Sequence, residues 1–154
     1  MTDTDFSSVK VAVRVRPLNH REIEERASII VHMENKKISI RNPKTEEGHP
    51  SRLKKRDFYF DYCFWSVKQD THNYASQKKI FEKIGKEVLI SAFDGYNVCI
   101  LAYGQSGSGK SYTMLGTDDI QFITGTLRKI MASEDPSDPH DSRQQTFFYV
   151  DNDM

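Results

Sequence analysis

Val98-Cys99-Ile100-Leu101-Ala102-Tyr103-Gly104-Gln105-Ser106-Gly107-Ser108-Gly109-Lys110-Ser111-Tyr112-Thr113-Met114 decides how the chain is read. An apolar run leads into a glycine-rich loop that closes on Lys-Ser, the G-x-x-x-x-G-K-[ST] spacing of a strand, a phosphate loop and a helix start. Gly104, Gly107 and Gly109 lack a Cβ, so the backbone can take positive φ and bring its amides onto phosphate oxygens. Lys110 extends a compact positive charge toward the β and γ phosphates, and the Ser111 hydroxyl is a hard oxygen of the kind Mg²⁺ accepts. A helix beginning at Lys110 turns its positive dipole end to the same anion. A glycine- and serine-rich surface loop is the alternative, and the strand before it and the helix after it argue against that.

Working outward, Ile80, Ile84 and Val88 recur every four residues, and Phe81 and Ala92 extend the stripe. Glu82 with Lys86 and Lys83 with Glu87 pair on the wet side. Ser76 suits the N-cap and Gly95 the C-terminal stop, so a helix is expected between them, delivering the chain to the strand Val98 to Tyr103. Strand, helix, strand and phosphate loop in succession imply an α/β nucleotide-binding core.

Upstream, Val9, Val11, Val13 and Val15 alternate with polar residues, which predicts a half-buried strand with Arg14 and Arg16 on its other face and Pro17 ending the ladder. Leu18 to Ala27 reads as a loop or short helical turn. Ile29 to Met33 and Ile38 to Ile40 flank Glu34-Asn35-Lys36-Lys37, which suits a hairpin with Asn at the turn. His32 reads as an ordinary strand residue. Arg41 to Asp57, with Pro43, Gly48, Pro50 and the basic run Arg52-Leu53-Lys54-Lys55-Arg56, reads as an exposed loop. Phe58-Tyr59-Phe60-Asp61-Tyr62-Cys63-Phe64-Trp65 reads as a buried aromatic strand running into a packed turn.

The bulk numbers narrow the class. The 154 residues suit one domain, and with 37% hydrophobic and 29% charged residues the composition is that of a polar soluble chain. Twenty-two basic against 22 acidic residues leave zero net charge, which removes any global case for nucleic acid or acidic lipid. Cys63 and Cys99 share no metal-ligand or C-x-x-C spacing and read as reduced core thiols of a cytosolic protein. The acidic start Met1-Thr2-Asp3-Thr4-Asp5 is wrong for a signal peptide, and no apolar run approaches membrane-spanning length, so a cytoplasmic protein without membrane insertion is expected.

Val11 to Asn19, Phe58-Tyr59-Phe60-Asp61, and Phe93-Asp94-Gly95-Tyr96-Asn97 continuing through Met114 together resemble the beginning of a kinesin motor domain. Tyr74-Ala75-Ser76-Gln77 and Asp61 to Ser66 lean toward the vesicle-transporting subfamily called kinesin-three. The resemblance spans about residues 9 to 117. It implies a P-loop NTPase-type α/β core with a central mixed sheet flanked by helices, of which this chain supplies the N-terminal portion. It also implies ATP and Mg²⁺ as ligands, microtubules as the partner, microtubule-stimulated ATP hydrolysis, and a cytoskeletal location. Cargo and direction of travel stay open.

Residue by residue, the resemblance assigns Arg14, Arg16 and Pro17 to the adenine end of the nucleotide and Tyr112 to stacking on the base. Gln105 to Ser111 take the phosphates, with Mg²⁺ at Ser111. Ser106 stands where the family more often has threonine and keeps the hydroxyl. Two family strings do not occur in the sequence: the switch segments N-x-x-S-S-R-S-H and D-x-x-G-x-E. Residues 1–8 are expected to be disordered, and 118–154 to form a divergent, partly disordered tail. Within that tail Thr126 to Met131 suits a short helix, Glu134 to Asp141 a proline-broken linker, and Thr146 to Val150 a strand with no evident partner. A truncated product, short isoform or incomplete gene model is the expectation, without catalytic competence of its own and marginally stable alone.

Overall fold

The structure is a computed structural model, and it describes residues 9–42, 55–117, 120–121 and 147–150. The expected disorder of residues 1–8, the helix at Thr126 to Met131 and the linker at Glu134 to Asp141 all lie outside the described residues. The chain divides into two units, Met1–Tyr74 and Ala75–Met154.

In the first unit β1 (Ala12–Val15) pairs in parallel with β5 (Tyr62–Trp65), Ala12 opposite Tyr62 and Val15 opposite Trp65. The valine alternation is only partly realised as burial. Val13 and Val15 are half-buried, whereas Val9 and Val11 are exposed and precede the strand. Pro17 ends the ladder as expected, and α1 (His20–Glu24) follows. A full capping box starts this helix: Glu22 N–H donates to Asn19 Oδ1 at 2.8 Å and Asn19 N–H donates to the Glu22 carboxylate at 2.8 Å, satisfying two otherwise orphaned amides.

The hairpin forms as β2 (Val31–Glu34) and β3 (Lys37–Arg41), antiparallel, with Asn35 at φ 51° in the turn. Asn tolerates that left-handed conformation better than most residues. β4 (Lys55–Tyr59) adds to β3, Lys37 opposite Tyr59 and Arg41 opposite Lys55.

Here the structure corrects two expectations. Lys55, Arg56 and Asp57 belong to a strand and not to the loop, because the extended β3 offers them ladder partners as far as Arg41. The aromatic run is two strands in two sheets, and Phe58 and Tyr59 are exposed. The break falls at Phe60-Asp61, where Phe60 N–H donates to Lys36 O and the Asp61 carboxylate accepts the Val11 N–H at 2.8 Å. Those bonds carry the chain from one sheet to the other. Among its described residues Phe64, Ile38, Ser39 and Ser66 are buried in this unit.

The second unit begins with the helix the sequence predicts. Ser76 caps it, its hydroxyl accepting Lys79 N–H at 3.2 Å, and α2 (Gln77–Ile80) runs into a π-helical stretch (Phe81–Gly85) and then α3 (Lys86–Phe93). Asp94 is the C-cap and Gly95 follows it at φ 85°. Gly95 N–H donates to Ala92 O and Tyr96 N–H to Ser91 O, the paired bonds of a Schellman ending. Ile80 is 1% exposed and anchors the stripe.

β6 (Cys99–Ala102) leads to α4 (Lys110–Leu115), β7 (Gly116–Thr117) and β8 (Ile120–Gln121) form a small antiparallel pair, and β9 (Phe147–Val150) follows. β9 corrects the expectation of an unpartnered strand. It lies parallel to β6, Cys99 opposite Phe147 and Ala102 opposite Val150, a pairing 48 residues apart that periodicity cannot reveal. Cys99 is also exposed, not a core thiol, since it stands on the same face of β6 as the exposed Leu101. No helix among the described residues is long and apolar enough to cross a membrane.

Candidate nucleotide-binding site

Three glycines with positive φ bend the chain between β6 and α4: Gly104 at 147°, Gly107 at 75° and Gly109 at 94°. Each value is one that L side chains avoid. A Cβ on Gly104 would stand 2.7 Å from Ser108 Oγ and 3.3 Å from Ser108 Cβ, so the absence of a side chain is a requirement of space as well as of angle. Ser108 N–H closes the turn on Gln105 O at 3.1 Å. Gln105, Ser106 and Gly107 form the exposed rim, with Ser108 and Gly109 half-buried beneath them.

Lys110 is 8% exposed. Its Nζ donates to Gly104 O and, at 3.2 Å, to Gln105 O, so the ammonium is folded back under its own loop. Among the described residues no carboxylate pairs with it. Burying a cation is costly unless it is compensated, and two carbonyl dipoles compensate only in part. The loop therefore keeps a net positive centre ringed by backbone and hydroxyls, which is the complement of a phosphate group. Ser111 is exposed on the first turn of α4, and Tyr112 is 46% exposed. Among the described residues no three His, Cys, Asp or Glu side chains cluster to hold a metal ion.

Sequence reasoning passed over Gln77, quoting it only within a subfamily motif. It is 3% exposed, and its Nε2 donates to Tyr112 O at 2.6 Å. A signal was present: Gln77 stands three residues before Ile80 and seven before Ile84, on the helix's apolar stripe, and a polar residue there must find a partner.

Arg14, Arg16 and Pro17 belong to the first unit. Arg14 Nε donates to Ser66 Oγ at 2.9 Å, and Ser66 is 3% exposed. Arg16 grips the two oxygens of Glu22 with Nη1 and Nη2, each at 2.8 Å, and Nη1 also donates to Pro17 O at 2.6 Å. The bidentate bond to Arg16, helped by the Asn19 amide, holds the Glu22 carboxyl down at about 2, and the same bond raises Arg16 above its ordinary value. The structure thus brings Gly104 to Tyr112 together in one unit and Arg14, Arg16 and Pro17 together in the other.

The parallel strand pair, the positive-φ glycine loop and the buried lysine define a P-loop α/β protein. Residues 14–146 match the Kinesin motor domain family, to which the chain belongs. Among curated proteins it is 51% identical over 116 residues to StAR-related lipid transfer protein 9 of Mus musculus, covering 73% of this chain and 2% of that protein. It is 48% identical over 114 residues to kinesin-like protein KIF1B of Homo sapiens, covering 73% and 6%, which upholds the kinesin-three-like reading.

A solved structure of KIF14 with ADP in complex with a microtubule matches with a TM-score of 0.65 and 37% identity, over 83% of this chain and 35% of that one. The α/β class expected from the sequence is therefore that of the kinesin core, in part. The chain spans a tenth or less of the curated relatives named and about a third of the matched structure.

Proposed function

We propose that the chain is the nucleotide-gripping part of an ATP-dependent microtubule motor. The observation that carries this is Lys110, a buried cation with no carboxylate partner among the described residues, seated under a loop whose three glycines hold positive φ. A triphosphate supplies the missing negative charge, and the loop amides and the Lys110 ammonium bind and orient it. Gln105, Ser106 and Ser108 surround the phosphates. The Ser111 hydroxyl is the residue that would meet Mg²⁺, which when bound spreads the charge of the β and γ oxygens. One protein oxygen suits Mg²⁺, which keeps most of its shell as water and phosphate.

Kinship supports the rest of the reading. Matched KIF14 structures carry ADP or AMP-PNP and a microtubule, so adenine nucleotide and tubulin are the ligand and partner we assign to the parent motor, with the cytoplasmic microtubule cytoskeleton as its place of work. Arg14, Arg16 and Pro17 are assigned to the adenine end and Tyr112 to stacking on the base, on the family resemblance. Nucleic acid and membrane insertion have no part in it.

A second reading has its own observation. Neither switch string occurs in the 154 residues, so the chain by itself binds nucleotide without turning it over. Titrating it with a fluorescent ATP analogue, with phosphate release followed in parallel, tests both. Saturable binding without release supports the gripping role, and steady release overturns the non-catalytic reading. Lys110→Ala should weaken binding about 10- to 100-fold, the loss expected for a charged hydrogen bond; unchanged affinity would sink the site assignment.

A further inference from the structure

α4 is only six residues long and carries Lys110, Ser111 and Tyr112. A helix of that length has too few internal bonds to hold itself, so its placement must come from what it packs against. Two anchors stand out. Met114 is 4% exposed, and Tyr112 O receives the Gln77 amide at 2.6 Å in addition to the Gly116 N–H of its own helix. Gln77 is itself well fixed, at the first position of α2 directly after the Ser76 cap and one turn before the buried Ile80.

We propose that Gln77 is a positioning residue for nucleotide binding: its buried amide ties the capped start of α2 to the backbone of Tyr112 and so fixes the helix that aims Lys110 and Ser111. This rests on the reading of Gly104 to Ser111 as a triphosphate grip. The geometry gives the tie a definite direction. Tyr112 O is an acceptor, so only a donor at position 77 serves, and a side chain of equal length without one removes the tie while leaving Met114 in its buried place. A hinge about Met114 moves Lys110, a turn away, while leaving β6 where it is. Loss of the tie therefore reaches the ligand through the orientation of α4, to whose backbone Gln77 donates.

The test uses the 154-residue chain. Gln77→Met should weaken binding of a fluorescent ATP analogue about tenfold, and should speed amide exchange at Leu115 and Gly116 by a like factor while the β6 amides keep their protection. Unchanged affinity together with unchanged exchange in α4 overturns the proposal, as does equal loss of protection in β6 and α4, which would mark a general role in stability.

Gln77→Glu supplies the independent check should Gln77→Met fail to fold. A protonated carboxyl can donate to Tyr112 O and an ionised one cannot, so affinity relative to the unaltered chain should recover as pH falls from about 8 to about 5.5. A flat ratio overturns the proposal. If the unaltered chain binds no nucleotide and Lys110→Ala changes nothing, the triphosphate reading has failed, whereas the exchange measurement still reports whether Gln77 braces α4.

Discussion

Arg16 and Glu22 face each other through two parallel hydrogen bonds of 2.8 Å, and the same carboxylate closes the capping box of α1 on Asn19. One residue thus serves two structures, the end of β1 and the start of the helix.

The pairing makes α1 acid-sensitive in a defined window. Glu22 is lowered from 4.5 to about 2, first by Arg16 and then by the Asn19 amide. Because its folded value lies below the unfolded one, the stabilisation is complete above about 4.5 and is lost as pH falls through about 2. Carboxyl carbon shifts of Glu22 should titrate near the lower figure. Glu22→Gln should remove the step near 2 from the amide signals of Asn19 and of position 22, and an ordinary carboxylate midpoint for Glu22 would refute the pairing.

Gly104 and Gly107 should respond differently to the same substitution. Gly107→Ala meets nothing within 4 Å, so only the strain of φ 75° is felt, about 1–2 kcal/mol. Gly104→Ala also drives a Cβ against Ser108, 2.7 Å from Oγ and 3.3 Å from Cβ, and Ser108→Ala removes the first contact but leaves the second, which is still tight. Nucleotide titration should show the larger loss for Gly104→Ala, alone and combined with Ser108→Ala. Equal losses at the two glycines would contradict the loop geometry.

Among the described residues of the second unit Ile80 is the most deeply buried large side chain, at 1% exposure. Ile80→Val should cost about 0.5–1.5 kcal/mol and Ile80→Ala about 2–5 kcal/mol in denaturant melts. The second figure is a large share of a domain's usual stability of about 5–15 kcal/mol, so Ile80→Ala should unfold well before the unaltered chain.

β9 should matter to β6. A chain ending at Thr117 lacks Phe147 to Val150, the residues opposite Cys99 to Ala102, and leaves that edge of the phosphate-loop strand unpaired. Hydrogen exchange at the β6 amides should quicken, with α2 and β2 to β4 unaffected. Unaltered β6 protection would argue against the pairing.

Local chemistry was the legible part. The Ser76 cap, the Gly95 ending, the Asn35 turn and the three loop glycines are each set by what a few neighbouring residues can do with their own backbone, and each is found where the sequence puts it. Aromatic content misled because it reports burial potential and not strand continuity: Phe58 and Tyr59 fell on an exposed strand, and a change of sheet at Asp61 divided the run. Cys99 misled for the same reason, an apolar neighbourhood in sequence being no guarantee of a covered face.

The sequence alone, then, determined the glycine loop from Gly104 to Ser111, because it is written in neighbouring residues, and the kinesin family, because three short motifs at Val11 to Asn19, Phe58 to Asp61 and Phe93 to Met114 carry it together. Tertiary structure alone decided which distant partners this chain's residues acquired: Phe147 to Val150 beside β6, Ser66 on Arg14 and Gln77 on Tyr112. A hydrogen bond or a strand pairing depends on where two segments meet in space, and residues 35 or 48 apart carry no local mark of that meeting.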